Sequence, residues 1–107
     1  MSSLVILDTI YLTRGDTFRA QISMYQDEEQ YIPQEGDIVR FALKNAADEV
    51  IITKTISNDS LLLELEPADT KGLEVGTYVY DVEITFADGT VDTFIADAVL
   101  KLTSEVI

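Results

Sequence analysis

Carboxylates are the side chains of this sequence best able to do chemistry, because it has 20 Asp and Glu residues and no His or Cys. Without His or Cys, Ser–His and Cys–His nucleophiles and thiolate metal sites are excluded within the chain. A catalytic carboxylate pair needs two acids that converge with separated pKa values. Nearly all the acids fall in turns or at outward strand positions, and only Asp97 is a candidate for burial. The sequence therefore predicts a protein that is not an enzyme.

Calcium is the cation that the remaining ligand types suit best, because it binds several carboxylate and carbonyl oxygens. Asp27, Glu28 and Glu29 share one loop, and Asp88 and Asp92 flank a turn. Neither run has the alternating spacing of an EF-hand loop. We therefore predict no cofactor and no metal site, and keep calcium only as an aid to the alternative function given below.

Strands must position these side chains, because apolar residues recur at every second position. The clearest inward-facing sets lie in residues 17–25, 38–44, 61–65 and 77–86. Turn signals recur about every 8–12 residues, a spacing typical of all-β sandwiches. The pattern predicts one domain over residues 1–107, an all-β, immunoglobulin-like antiparallel β-sandwich of about seven strands. A closed barrel is the alternative.

Several local features refine this prediction. Residues 26–37 are polar and predict a loop, and residues 67–72 begin with Pro and end with Gly, as a short helical turn does. The pair Asp88-Gly89 predicts a tight two-residue hairpin turn. The alternation slips near Asp97, which predicts a bulge. Tyr78 follows the helical turn, as does the tyrosine of an immunoglobulin-type tyrosine corner.

The candidate interaction residues are apolar or aromatic side chains with no evident core partner. The first strand, residues 4–13, is the predicted docking edge of the sandwich, since its start is more apolar than a free terminus needs; residues 106–107 could act in the same way. Exposed tyrosines can stack on sugars or anchor a protein interface. The candidates are Leu4, Val5, Ile6, Leu7, Tyr11, Tyr25 and Tyr31.

The tripeptide Arg14-Gly15-Asp16 matches an integrin-binding sequence by letter. Gly favours a chain reversal, and Asp can hydrogen-bond the backbone of a turn. We therefore interpret this tripeptide as a turn between two strands.

The net charge of −13 limits the class of partner. Such a surface repels phosphate backbones and anionic lipid headgroups, so we expect neither nucleic acid nor membrane as a partner. No run approaches the ~18 apolar residues that a membrane span needs. A basic protein or cations would suit the more acidic second half of the chain.

Four segments resemble small proteins of phages and prophages of Gram-positive bacteria, and in particular the N-terminal immunoglobulin-like domain of the phage baseplate upper protein. They cover residues 11–18, 36–41, 67–81 and 88–94, so the resemblance extends over about residues 8–104. In contrast to the longer baseplate proteins, we expect this chain to carry no coiled coil or receptor-binding region after the sandwich, so a free-standing head or tail accessory protein fits the resemblance equally well.

The resemblance implies a non-catalytic virion protein of the tail, baseplate or head surface, synthesised in the cytoplasm of a bacterial host. Its partners would be other virion proteins, and a homo-oligomer is expected because virion parts are usually symmetric rings. The alternative is a carbohydrate- or ligand-binding β-sandwich module, assisted by calcium. A concave patch with two or more tyrosines on one sheet would favour that alternative.

Overall fold

The computed structural model describes residues 9–26 and 29–105. Within these ranges the chain forms nine strands and one short helix, which confirms the prediction of an all-β sandwich. The elements are β1 (Ile10–Thr13), β2 (Phe18–Gln21), β3 (Met24–Gln26), β4 (Glu29–Tyr31), β5 (Ile38–Lys44), β6 (Val50–Ile56), β7 (Leu62–Leu65), α1 (Pro67–Lys71), β8 (Gly76–Thr85) and β9 (Val91–Thr103).

One layer is a five-stranded sheet in the order β1-β9-β8-β5-β6, and the other contains the pairs β2-β7 and β3-β4. The core lies between the layers. Its centre is formed by fully buried side chains from both: Met24, Val39, Phe41, Leu63, Leu65, Val82, Ile84 and Leu100.

Strand β8 lies in the middle of the five-stranded sheet and shows most clearly how the sequence sets the fold. Tyr78, Tyr80, Val82 and Ile84 are all buried and alternate with exposed or half-buried residues. β8 pairs with β5 on one side and β9 on the other, both antiparallel. A shift of one residue would move this apolar set to solvent, so the alternation fixes the register.

The first strand departs from the expected antiparallel arrangement. β1 runs parallel to β9, with Ile10 opposite Leu100 and Thr13 opposite Thr103. The backbone N–H of Arg14 extends this pairing by donating to the Thr103 carbonyl at 2.8 Å. The chain then crosses to the other layer, so β1 and β2 belong to different sheets and do not form a hairpin.

The inward-facing set over residues 17–25 predicted one continuous strand, and that prediction is wrong. The chain leaves β7 after Gln21, where the Ile22 N–H donates to the carbonyl of Leu61, a residue with φ of 50°. It then starts a second strand, β3. The predicted loop at residues 26–37 instead contains β4, which pairs antiparallel with β3. Ile22 and Met24 remain buried, so their inward orientation is confirmed.

The predicted two-residue turn at Asp88-Gly89 is also wrong, because three residues, Ala87, Asp88 and Gly89, lie between the hydrogen-bonded Phe86 and Thr90. The Phe86 N–H donates to the Thr90 carbonyl, and the Gly89 N–H donates back to the Phe86 carbonyl, both at 2.8 Å. Gly89 has φ of +93°, as in three-residue hairpins that end in a left-handed residue. The bulge in β9 is confirmed: the register with β8 shifts beside Asp97, which has φ of 54°.

The helical turn is confirmed as α1, and the tyrosine corner is present. Asp69 caps α1 by accepting from the Glu66 N–H at 2.7 Å and pairs with Lys54 Nζ on β6 at 2.8 Å. The Tyr78 hydroxyl donates to the Glu74 carbonyl at 2.6 Å. These contacts fix the segment between β7 and β8 against the sandwich.

Gly36 and Gly89 form a matched pair for testing close packing, because their φ values are +94° and +93°. A Cβ on Gly36 would lie 2.8 Å from the Ala87 Cβ, whereas a Cβ on Gly89 would meet nothing within 4 Å. We expect Gly89→Ala to lower the free energy of unfolding by about 1–2 kcal/mol through backbone strain alone. Gly36→Ala should cost at least about 1 kcal/mol more, since overpacking adds to that strain.

Urea unfolding of both variants measures the difference. Equal losses of unfolding free energy would contradict the close approach of the Gly36 turn to the β8–β9 hairpin.

Candidate functional site

The buried carboxylate among the described residues is Asp37, which the sequence analysis did not single out. It lies directly before β5 and is only 8% exposed. Its position was detectable from the pattern, because Asp37 shares the inward register of Val39, Phe41 and Leu43. Asp97, the acid that the sequence favoured for burial, is exposed, and its N–H donates to Asp81 Oδ1 at 2.8 Å.

Three donors occupy the Asp37 carboxylate. The Tyr31 hydroxyl donates to Oδ2 at 2.6 Å, the Gln34 N–H donates to the same oxygen at 2.9 Å, and the Ala87 N–H donates to Oδ1 at 3.2 Å. Burial alone would raise the pKa of Asp37, but these hydrogen bonds outweigh burial and hold that pKa below its usual range. The carboxylate is therefore charged at neutral pH, and both of its oxygens already accept hydrogen bonds from the protein itself.

The Asp37 cluster joins four segments of the chain. Tyr31 belongs to the β3–β4 hairpin, and Ala87 belongs to the β8–β9 hairpin. Asn58, in the turn after β6, donates through Nδ2 to the Asp37 carbonyl at 2.8 Å. Burial and the Asp37 carboxylate raise the pKa of Tyr31 to about 12, so its hydroxyl stays a donor. We interpret the cluster as a structural latch.

Tyr31 is half-buried, not exposed as predicted, and its role as an interaction residue stays a prediction. Its ring packs edge-on against Phe86 at 5.6 Å and stacks against Phe94 at 6.4 Å between centroids. Tyr11 and Tyr25 are 69% and 39% exposed. They lie on β1 of the five-stranded sheet and on β3 of the other layer, so no pairing brings them together.

The predicted docking edge is described only in part. Leu4, Val5, Ile6 and Leu7 lie outside the described residues, as do residues 106–107. The described end of the segment, β1, does lie at an edge of the five-stranded sheet. Tyr11 projects from this edge, with the Lys101 ammonium 5.9 Å from the centre of its ring.

The Arg14-Gly15-Asp16 turn is occupied by internal contacts. Arg14 pairs with Glu105 at 2.6 Å and donates to the Leu73 carbonyl at 3.2 Å, while the Gly15 N–H donates to Thr70 Oγ1 at 2.9 Å. Gly15 has φ of +84°, and the Asp16 N–H donates to the Thr13 carbonyl at 3.0 Å. The interpretation as a turn is confirmed.

One feature that the alternation does not explain lies on the outward surface of the five-stranded sheet, here called the outer face. An outward position of a strand is normally polar. Here Val99 lies opposite Val79, Val79 opposite Lys44, and Lys44 opposite Val50, which is 58% exposed. Three valines and Lys44 therefore form a row across four strands; Val50 is exposed, Val79 and Val99 are half-buried, and Lys44 lies between Val79 and Val50. The outward position of Val79 in an alternating strand was the sequence signal for this row.

Charged side chains of both signs lie next to the row. Arg40 on β5 lies opposite Glu83 on β8, and neither forms an ion pair with another described residue. Lys44 Nζ lies 3.2 Å from Asp81 Oδ2, and this partner raises the pKa of Lys44. Ala42, which is small, lies between these charges and opens a shallow hollow of about 320 Å³.

The described residues contain no group of three or more acids placed to hold a metal ion. The hairpin acid Asp88 accepts from the Thr90 N–H at 2.9 Å and from its hydroxyl at 2.7 Å, so Asp88 stabilises its own turn. Across residues 9–26 and 29–105, no helix is long and apolar enough to cross a membrane.

Comparison with known proteins gives a likeness of fold. No protein-family model matches the chain, and no curated protein matches it. Among solved structures the chain is similar to the crystal structure of CopC from Methylosinus trichosporium OB3b, with a TM-score of 0.53 and 12% sequence identity. The alignment covers 100% of this chain and 98% of CopC. At that identity the likeness supports the all-β sandwich and nothing about function.

The Asp37 latch predicts a pH-dependent stability. Because the folded-state pKa of Asp37 lies below the unfolded value of about 3.9, its contribution is complete above that value and is lost as pH falls through the folded pKa. Asp37→Asn should lower the free energy of unfolding by about 1–3 kcal/mol at pH 7, because an amide leaves backbone donors unmatched. The gap from wild type should narrow below about pH 4.

Urea unfolding at pH 7, 4 and 3 measures this gap. Asp59→Asn is the control, because it removes an exposed carboxylate from a turn. A gap for Asp37→Asn that stays constant across these pH values would contradict the latch.

Proposed function

We propose that this chain is a non-catalytic structural module of a phage or prophage virion, and that it docks other virion proteins through the outer face. The observation that carries the proposal is the apolar row of Val50, Val79 and Val99 on a surface that should be polar. Apolar residues clustered on an exposed sheet and bordered by charges are typical of protein-binding surfaces.

The acids of the chain favour a binding role over catalysis. The pKa values of Asp37, Asp69, Asp88 and Glu105 are all lowered, whereas a general acid needs a raised pKa. Hydrogen bonds from their neighbours account for the lowering in each case, and for Asp37 and Asp69 they do so against burial. These carboxylates are structural acceptors.

The resemblance to phage proteins suggests the class of partner. The segments of this chain that carry the resemblance include the Arg14-Gly15-Asp16 turn, the Gly36-Asp37 turn of the latch and the helical turn that follows β7. Each stabilises the sandwich, so the resemblance supports a shared scaffold that presents a docking surface. The resemblance implies a tail, baseplate or head-surface module that docks other virion proteins. The protein would be made in the cytoplasm of the bacterial host and incorporated into the virion.

The alternative, a carbohydrate-binding module, is not favoured by the tyrosines. Tyr11 and Tyr25 lie in different layers, and Tyr31 is packed inside the latch. A sugar platform needs at least two exposed rings on one surface. The net charge of −13 likewise argues against nucleic acid and anionic membranes as partners.

The proposal is tested on purified phage particles from a strain that carries the gene. Mass spectrometry should detect the chain in intact particles. Val50→Lys should reduce incorporation at least about tenfold, because it places a charge inside the docking surface. Ile32→Lys is the matched control, since Ile32 is also 58% exposed but lies outside the five-stranded sheet.

Particles that lack the wild-type chain would overturn the virion role. Equal incorporation of Val50→Lys and wild type would keep the chain in the virion but remove the outer face as its docking surface.

A further inference from the structure

We infer that the outer face binds a second copy of this chain, around a two-fold axis that runs parallel to the strands between β5 and β8. The inference rests on the proposed docking function and names the partner of the same surface. Three features of the outer face carry it: the arrangement of the valine row, the arrangement of the charges, and the area of the sheet.

The valine row is complementary to itself under this symmetry. A two-fold rotation about an axis along the strands keeps each residue at its height and exchanges left and right. β5 then faces the partner's β8, and β6 faces the partner's β9. Val50 therefore meets Val99 of the partner subunit, and Val79 meets the aliphatic part of the partner's Lys44. Each of these two contacts therefore occurs twice in the dimer.

The charges of the outer face are complementary under the same rotation. Arg40 and Glu83 lie at one height on the two strands that flank the axis. Arg40 therefore faces Glu83 of the partner subunit, and Glu83 faces the partner's Arg40. Because neither residue has an ion-pair partner among the described residues, both are available for these contacts. A two-fold axis perpendicular to the strands would instead place β5 against β5 of the partner subunit. The positive charges of the two β5 strands would then oppose each other.

The outer face is also less acidic than the chain as a whole. It presents three of the seven basic residues, Arg40, Lys44 and Lys101, against the acids Asp81 and Glu83, with Asp48 beside Lys44 and Asp97 beside Asp81, although the whole chain carries −13. The four strands that overlap in this arrangement, β6, β5, β8 and β9, are about 4.8 Å apart and about seven residues long, and they cover roughly 440 Å². Two such faces bury a total of about 900 Å², which is the size of a weak, concentration-dependent interface.

The test is a charge-reversal cycle measured by sedimentation equilibrium and light scattering from about 5 μM to 1 mM at near-physiological ionic strength. Wild type should form a dimer as concentration rises. Arg40→Glu and Glu83→Arg should each weaken dimerisation at least about tenfold, because each places like charges opposite one another. The double variant should recover to within about threefold of wild type, since it restores opposite charges.

Two features of the cycle separate this contact from general charge effects. Lys71→Glu is the control for Arg40→Glu, because it changes the net charge equally at an exposed position on α1. Glu83→Arg makes the chain less acidic, so a loss of dimer in that variant cannot come from greater overall repulsion. Circular dichroism and thermal unfolding show whether each variant is folded.

A wild-type chain that stays monomeric up to 1 mM would overturn the inference. A larger assembly, or a dimer unaffected by both single reversals, would overturn this two-fold arrangement. Incorporation into particles is measured separately, so a monomer that still enters particles overturns the second-copy inference and leaves the docking function standing.

Discussion

The structure depends on one charged group that is removed from water, the Asp37 carboxylate. A buried carboxylate must be matched by donors, and here they come from Tyr31, Gln34 and Ala87, in separate parts of the chain. Meeting this requirement fixes the β3–β4 hairpin against the β8–β9 hairpin and sets where β5 begins. Because β5 carries the centre of the outer face, the position of that surface follows from the latch.

Strict alternation gives each central strand two roles. On β8, the inward residues fill the core, while the outward residues Val79, Asp81 and Glu83 form part of the docking surface. The core fixes the register, so the outward residues cannot slide relative to β5 and β9. Neighbouring strands therefore hold the valine row and the charges at fixed heights, as recognition by another rigid surface requires.

The period of two predicted the all-β class, the inward sets of β5, β7 and β8 and the bulge near Asp97, while the Pro and Gly that bound residues 67–72 predicted the helical turn. It could not predict the parallel pairing of β1 with β9, because pairing partners depend on long-range packing. The β3–β4 hairpin was missed because β4 is only three residues long and two of them, Glu29 and Gln30, are polar. Tyr31 was misassigned because exposure was inferred from neighbouring acids, whereas its partner Asp37 comes six residues later. The valine row was visible in sequence, but only the sheet order shows that its members are neighbours.

The central claim is that the outer face is an association surface held rigid by the core. Methyl NMR spectra recorded as the protein concentration is raised test it most directly, with Val50, Val79 and Val99 as probes and the exposed Leu62 of the other layer as reference. The account predicts that the three valine signals shift together with concentration while the Leu62 signals do not. Valine signals that stay constant, or that shift no more than those of Leu62, would contradict it.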